Sequence, residues 1–184
     1  MKTFCSIVIG CVCLVSVFNS NAADEKAAAA PVRIGVYDSG TVAYAHFWSE
    51  PYQKKLQERI AAAKAAKESG DAVKPKEYQA ALKAEQEQNH REVFSTAPAT
   101  EAMGAIKERL PEIQKQAGVS AVVSKWDEKS MEGYKNAEQV DVTDRLVREF
   151  ILPTEKQAQT ISSIQKNKPL SLEKCDELIR KGQL

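Results

Sequence analysis

VRIGVYDSGTVAYAHF, Val32 to Phe47, places the tetrapeptide Asp38-Ser39-Gly40-Thr41 directly after an apolar run. Two readings of it lead to different folds. The same four residues form the loop that carries the catalytic carboxylate of aspartic proteases, where two carboxylates share one proton because neighbouring like charges cannot both ionise. The chain contains the tetrapeptide once, so that reading requires a homodimer, in a fold of short strands with glycine-rich flaps. In the other reading, Val32, Ile34 and Val36 alternate with Arg33, Gly35 and Tyr37 as a strand with one buried face. Asp38 or Ser39 then caps a helix that starts near Thr41. The residues after Thr41 are predominantly helix-forming and contain no flap-like hairpin, so the protease reading is remote and Asp38 is read as a cap. A cap alone predicts that Asp38→Ser is nearly silent and that Asp38→Ala costs about 1 kcal/mol.

Outward from this stretch, Ala43 to Ser69 is almost free of helix breakers except Pro51, and LQERIAAAKAAKES is built of strong helix formers. GDAVKP interrupts. Gly70 suits a position just past a helix end and Pro75 the first turn of the next helix, Lys76 to Phe94. Two helices joined by so short a turn predict an antiparallel hairpin over about residues 50–94, with arms about 30 Å long at 1.5 Å per residue. The apolar seam is thin: Leu56, Ile60 and Ala63 on the first arm, Tyr78, Ala81 and Leu82 on the second. From Glu50 to Phe94 there are 9 Lys and Arg against 8 Asp and Glu, so the arms are zwitterionic.

STAPAT ends the second arm, with Thr100 expected to cap EAMGAIKERLPEIQKQAG. Met103, Ile106, Leu110 and Ile113 recur at helical spacing, Pro111 kinks or restarts the helix and Gly118 stops it. VSAVVSKW, Val119 to Trp126, is the second expected strand, DEKSMEG a polar turn, and Tyr134 to Val140 a weak third strand. Asp141 and Thr143 are expected to cap DRLVREFIL, with Val147, Phe150 and Ile151 inward. A tail, 153–184, follows Pro153: one helix through Ile161 and Ile164, then Ser171 capping LEKCDELIRK, with Leu172, Cys175 and Ile179 on one face and Gly182 at its end.

The N terminus reads as a cleavable export signal over residues 1–22: Lys2, a largely apolar stretch from Phe4 to Phe18, then Ser20 and Ala22 at the small-residue positions before a cut. VIGC, with Cys11 lipidated, is the alternative. ADEKAAAAP, 23–31, is a polar, alanine-rich leader expected to be a disordered tether. After removal of the signal, Cys175 is the remaining cysteine and no internal disulfide can form; its bland role is a small apolar residue on a helix face. The 26 Lys and Arg lose Lys2 with the signal, leaving 25 against 25 Asp and Glu. A neutral chain has no electrostatic footprint for nucleic acid. No later apolar run approaches the roughly 18 residues that would span a membrane.

His46, Phe47 and Trp48 stand together early in the first helix; of a binding patch and packing against the body, packing is the reading taken. His46 and His90 are far apart in sequence, and no carboxylate or thiol pair stands at metal-ligand spacing around either. No phosphate-binding loop and no nucleophile-elbow or Cys/His pattern occurs. Neither a cofactor nor an enzymatic activity is expected.

The order of elements, carried by VRIGVYDSGTV, the charged Ala/Lys/Glu/Gln hairpin, AIKERLPEIQKQAGVSAVVSKW and VDVTDRLVREF, resembles the Skp/OmpH family of periplasmic chaperones over Val32 to Leu152. The resemblance implies an α+β fold: a small few-stranded sheet body, a protruding helical hairpin, and here an added helical C-terminal tail. It implies an ATP-independent holdase in the periplasm that binds unfolded outer-membrane or envelope proteins as a homotrimer. Tyr52, Leu56, Ile60, Tyr78 and Leu82 are the client contacts it implies. The alternative is a non-enzymatic envelope scaffold that binds one folded partner.

Overall fold

The computed structural model describes residues 31–69 and 73–184. The expected signal peptide, the Cys11 alternative, the leader up to residue 30 and Gly70 as a helix stop lie outside the described residues. In chain order the elements are β1 (Arg33–Tyr37), α1 (Ser39–Phe47), α2 (Glu50–Glu68), α3 (Lys74–Phe94), α4 (Thr100–Ala105), α5 (Leu110–Ala117), β2 (Val122–Ser124), α6 (Glu128–Glu132), β3 (Glu138–Asp141), α7 (Thr143–Arg148), α8 (Glu155–Lys166) and α9 (Leu172–Arg180). The fold is α+β, mostly helical, with one small sheet.

The sheet runs β2-β1-β3 and is parallel throughout, with Gly35 opposite Val122 on one side and Val140 on the other. A central parallel strand is covered on both faces, and Ile34, Gly35, Val36 and Tyr37 are all buried. The expected one-sided alternation is corrected accordingly: Val32 precedes the strand and is exposed, while Gly35 and Tyr37, expected outward, are enclosed. β2 is shorter than the expected Val119 to Trp126. Gly118 takes the left-handed conformation, φ 65°, at the end of α5, and the Val119 N–H returns to the Gln114 carbonyl, so the chain is still closing that helix. β3 starts at Glu138, because Tyr134 is bonded back to Met131 in the turn after α6. The expected polar turn itself holds that short helix, capped by Asp127, whose carboxylate accepts from the Ser130 N–H at 3.0 Å.

Several helix boundaries depart from expectation for local reasons. The run from Ala43 to Ser69 is two helices, because Ser49 caps α2 through the Tyr52 N–H and Pro51 stands in its first turn. Thr100 does not cap α4: its hydroxyl faces the Pro98 carbonyl, and the buried Glu92 carboxylate reaches the Glu101 N–H from α3 at 3.5 Å. Pro111 restarts the helix as α5. At α7 Val142 holds the N-cap position without a side-chain cap bond, and Thr143 does not cap as expected. Thr143 is the first helical residue and turns its hydroxyl to the Asp38 N–H at 3.0 Å, while Asp141 accepts from the Thr143 N–H at 2.8 Å. Ser171 caps α9 as expected, through the Lys174 N–H. Leu172 is exposed, so the expected stripe on that helix begins at the fully buried Cys175.

The core joins Tyr37, Val42 and Ala43 to Ala99, Ala102, Ile106, Ile113 and Leu146, with a smaller cluster of Ala45, Val147 and Ile161. Ile161 belongs to the tail, which is part of the same compact unit, Pro31–Leu184. α8 packs on α1 and α9 on α3, and the linker between them pairs Leu170 with Ser95 in a parallel bridge. The tail therefore covers helices and does not extend the sheet among the described residues, where β2 and β3 each have one strand neighbour.

Candidate functional site

The tetrapeptide that opened the question is enclosed. Asp38 is 3 % exposed and its carboxylate accepts from the Thr41 N–H at 2.8 Å, the Lys125 ammonium at 2.8 Å and the Trp126 indole N–H at 3.1 Å. Burial pushes its pKa up, but hydrogen bonds from Lys125 and Thr41 and the Lys125 charge outweigh that and hold it below the usual carboxylate value. Proton-sharing acid chemistry needs a second carboxylate at this position; the partners here are a cation and two N–H donors. Ser39 and Thr41 are fully buried, and Gly40 lies so close to α3 that an added Cβ would run into the Val93 carbonyl oxygen.

A more apolar feature open to a partner adjoins this region, sharing Tyr44, Val93 and Phe94 with the hollow that Asp38 and Gly40 line. The end of α1, with Tyr44, Phe47 and Trp48, meets Leu56 and Ile60 of α2 and a stripe of α3 from Leu82 to Phe94 around a groove of about 450 Å³. Its walls are mainly apolar, and Trp48, Ile60 and Phe94 remain 44, 44 and 41 % exposed. The stripe arises because Leu82, Gln86, Asn89, His90 and Val93 recur at three- and four-residue spacing, which puts them on one helix face.

Of the five residues expected to contact a client, Leu56, Ile60 and Leu82 line this groove. Tyr52 is buried: its hydroxyl donates to Glu85 at 2.7 Å and accepts from the Asn89 amide at 2.7 Å, and Arg59 pairs with the same Glu85. Burial and the Glu85 charge raise the Tyr52 pKa. The tyrosine thus fastens α2 to α3. Tyr78 is half-buried and away from the groove lining. Sequence reasoning gave Phe47 and Trp48 to packing in preference to a binding patch, and missed Gln86, Asn89 and His90 as groove lining. The signal available was the α3 stripe, whose polar members read as a solvated face.

His46 lies beneath the junction of α1 and α2, edge-on to Tyr52 and to Phe150, each at 5.2 Å between ring centroids. Burial disfavours its cation and lowers its pKa from 6.5; the facing Glu101 opposes that shift and Lys55 adds to it. A histidine whose folded pKa is depressed contributes stability present above 6.5 and lost as pH falls through the folded value. Glu92 has the opposite sign. Its burial raises the folded pKa above 4.5, so it stabilises progressively as pH falls toward that value. Urea titrations at pH 7 and 5.5 are expected to show the wild type losing more stability on acidification than His46→Phe, in which Glu92 is retained and cancels in the comparison. Equal losses in the two proteins would show that His46 carries no such linkage.

Cys175 is buried with its thiol 3.7 Å from the His90 carbonyl oxygen, and burial raises its pKa. No group of three or more His, Cys, Asp and Glu able to hold a metal occurs among the described residues, and none of their helices is long and apolar enough to cross a membrane. Compared with family models, with curated proteins and with solved structures, the chain matches none of them.

Proposed function

We propose that this protein is an ATP-independent holdase of the Skp/OmpH kind, which binds unfolded outer-membrane or other envelope proteins after export to the periplasm. The observation that carries the reading is the apolar groove at the base of α2 and α3, where Trp48, Ile60 and Phe94 stay exposed around a common hollow. Contiguous exposed apolar surface of this kind marks an interaction site. In this reading α2 and α3 are the arms of an antiparallel hairpin. Contacts of Tyr52, near the start of α2, with Glu85 and Asn89, late in α3, support that orientation. Few buried apolar residues lie farther along the arms, Ala66 among them; such helices adapt easily to varied chains. Open edges at β2 and β3 favour pairing between copies, and the assembly proposed is a homotrimer, measurable as three chain masses by light scattering.

The decisive experiment dilutes a urea-unfolded outer-membrane barrel protein into buffer with an excess of the purified chain and no nucleotide. Strong suppression of aggregation, for more than one such substrate, is the expected result. Unchanged aggregation would remove the holdase reading and leave the scaffold that binds one folded partner.

A further inference from the structure

The groove is not uniformly apolar. Along α3, Leu82 to Phe94 covers about 18 Å at 1.5 Å per residue, and its lining includes the polar Gln86, Asn89 and His90, the first exposed and the other two half-buried, as well as the apolar residues. Asn89 gives an amide N–H to the Tyr52 hydroxyl, and its side-chain carbonyl oxygen accepts no hydrogen bond among the described residues. The Gln86 amide makes no hydrogen bond among the described residues, and the His90 ring makes only an aromatic contact with Phe94, 5.8 Å between centroids. The one charged residue on the lining, Glu85, is already neutralised by Arg59 and bonded to Tyr52.

Such a lining discriminates between partner conformations. A helix satisfies its own N–H and C=O groups and would lay apolar side chains over these polar groups, desolvating them without partners. An extended chain carries free main-chain donors and acceptors at about 3.3 Å per residue and points alternate side chains to opposite sides. About five or six residues of it match the α3 lining from Leu82 to Phe94, of which the polar strip from Gln86 to His90 takes about two.

Resting on the holdase reading, we propose that the groove takes an extended, uncharged segment of non-native polypeptide. Its main chain bonds to Gln86, Asn89 and His90, and its apolar side chains enter the walls formed by Phe47, Trp48, Leu56 and Ile60. The absence of an available charge in the groove favours a segment without charged side chains, and the side-chain amides favour one whose backbone is not yet paired.

The test pairs a double variant with two probes. Gln86→Leu combined with His90→Leu makes the lining more apolar and leaves Tyr52, Glu85 and Asn89 in place. The first probe is a capped eight-residue peptide alternating valine and threonine, fluorescently labelled; the second is a hydrocarbon-stapled amphipathic leucine/alanine helix. The wild type is expected to bind the extended peptide more tightly than the helix. The double variant is expected to bind the extended peptide about tenfold more weakly and the helix at least as well, because only the former loses hydrogen bonds. N-methylation of alternate amides in the extended peptide should weaken wild-type binding and have little further effect on the variant. Tighter binding of the extended peptide by the variant, or a wild-type preference for the helix, overturns the proposal, as does a change in oligomeric mass in the variant, which would make a second copy the occupant. The aggregation assay keeps the two readings apart. A double variant that suppresses aggregation as well as wild type sinks the groove proposal while the holdase reading stands, and a wild type that binds the peptide yet suppresses nothing does the reverse.

Discussion

Gly40→Ala is expected to lower stability by about 3 kcal/mol, at the upper end of what overpacking costs, and to reduce the melting temperature by roughly 6–12 °C for a chain of this size. The new methyl would meet the Val93 carbonyl oxygen, a backbone atom of α3, with the Ile164 Cγ2 methyl 3.3 Å away on the tail side. A side chain can rotate aside, but a carbonyl in the last turn of a helix cannot. α1 would have to lift from α3, carrying Val42 and Ala43 out of the core they share with Ala99, Ala102 and Leu146. The neighbouring Ser39→Ala supplies the contrast. The Ser39 hydroxyl is buried with no partner among the described residues, so its removal is expected to be neutral or to stabilise by about 1 kcal/mol, the release of a desolvated polar group. Urea denaturation of both variants checks the pair; a Gly40→Ala protein within roughly 0.5 kcal/mol of wild type, the range of an indifferent surface change, would mean that α1 is free to shift.

Asp38→Ala is expected to cost about 3 kcal/mol, since removing one partner of a buried ion pair leaves the other charge poorly compensated; Lys125 is one-third exposed, which keeps the figure at the low end. This exceeds the single cap expected from sequence, because Lys125 and the Trp126 indole N–H lose their acceptor together with Thr41. Asp38→Ser restores only the cap and is expected to stay much closer to alanine than to wild type, contrary to the near-silence that capping alone implies. Asp38→Asn keeps an acceptor for Thr41 and should fall between. The pH dependence has a defined sign. The folded pKa is below 3.8, so the contribution is present above that value and is lost as pH falls through the folded pKa. Thermal melts from pH 5 to 2 should show an acid loss below about pH 4 in wild type that is shallower in Asp38→Asn. Parallel curves would remove the ion pair from the stability of the fold.

Legibility in the sequence followed the range of the interaction. β1, the Asp38 cap, the Pro75 and Pro111 helix starts, the Gly118 stop and the Ser171 cap are set by neighbours a few residues away, and each could be read from Val32 onward. Features set by distant partners could not. Glu92 supplies α4 with a carboxylate that nothing local to Thr100 indicates, and Thr143 turns to Asp38 across 105 positions instead of serving its own helix. The groove was half legible for the same reason. Leu56, Ile60 and Leu82 stand out as apolar residues on polar helices. Phe47 and Trp48 join them only because Ser49 breaks the chain between α1 and α2, and Tyr52 leaves them because Glu85 and Asn89 take its hydroxyl.

The parallel order of the sheet, with the first strand in the middle, also fixes when the protein can fold. β1 leaves the ribosome before either neighbour: the bond from Ser120 to the Arg33 carbonyl spans 87 positions, and that from Asp38 to Thr143 spans 105. At about 5–20 residues per second, roughly 5–20 s of synthesis separate the strand from its second partner. Pairings so distant in sequence also close slowly once both ends exist. During that interval Ile34, Val36 and Tyr37 have no strand to pair with. A fragment that stops short of Val122 would hold α1, α2 and α3 and no sheet at all. The sheet is complete only once β3, ending at Asp141, is available to pair.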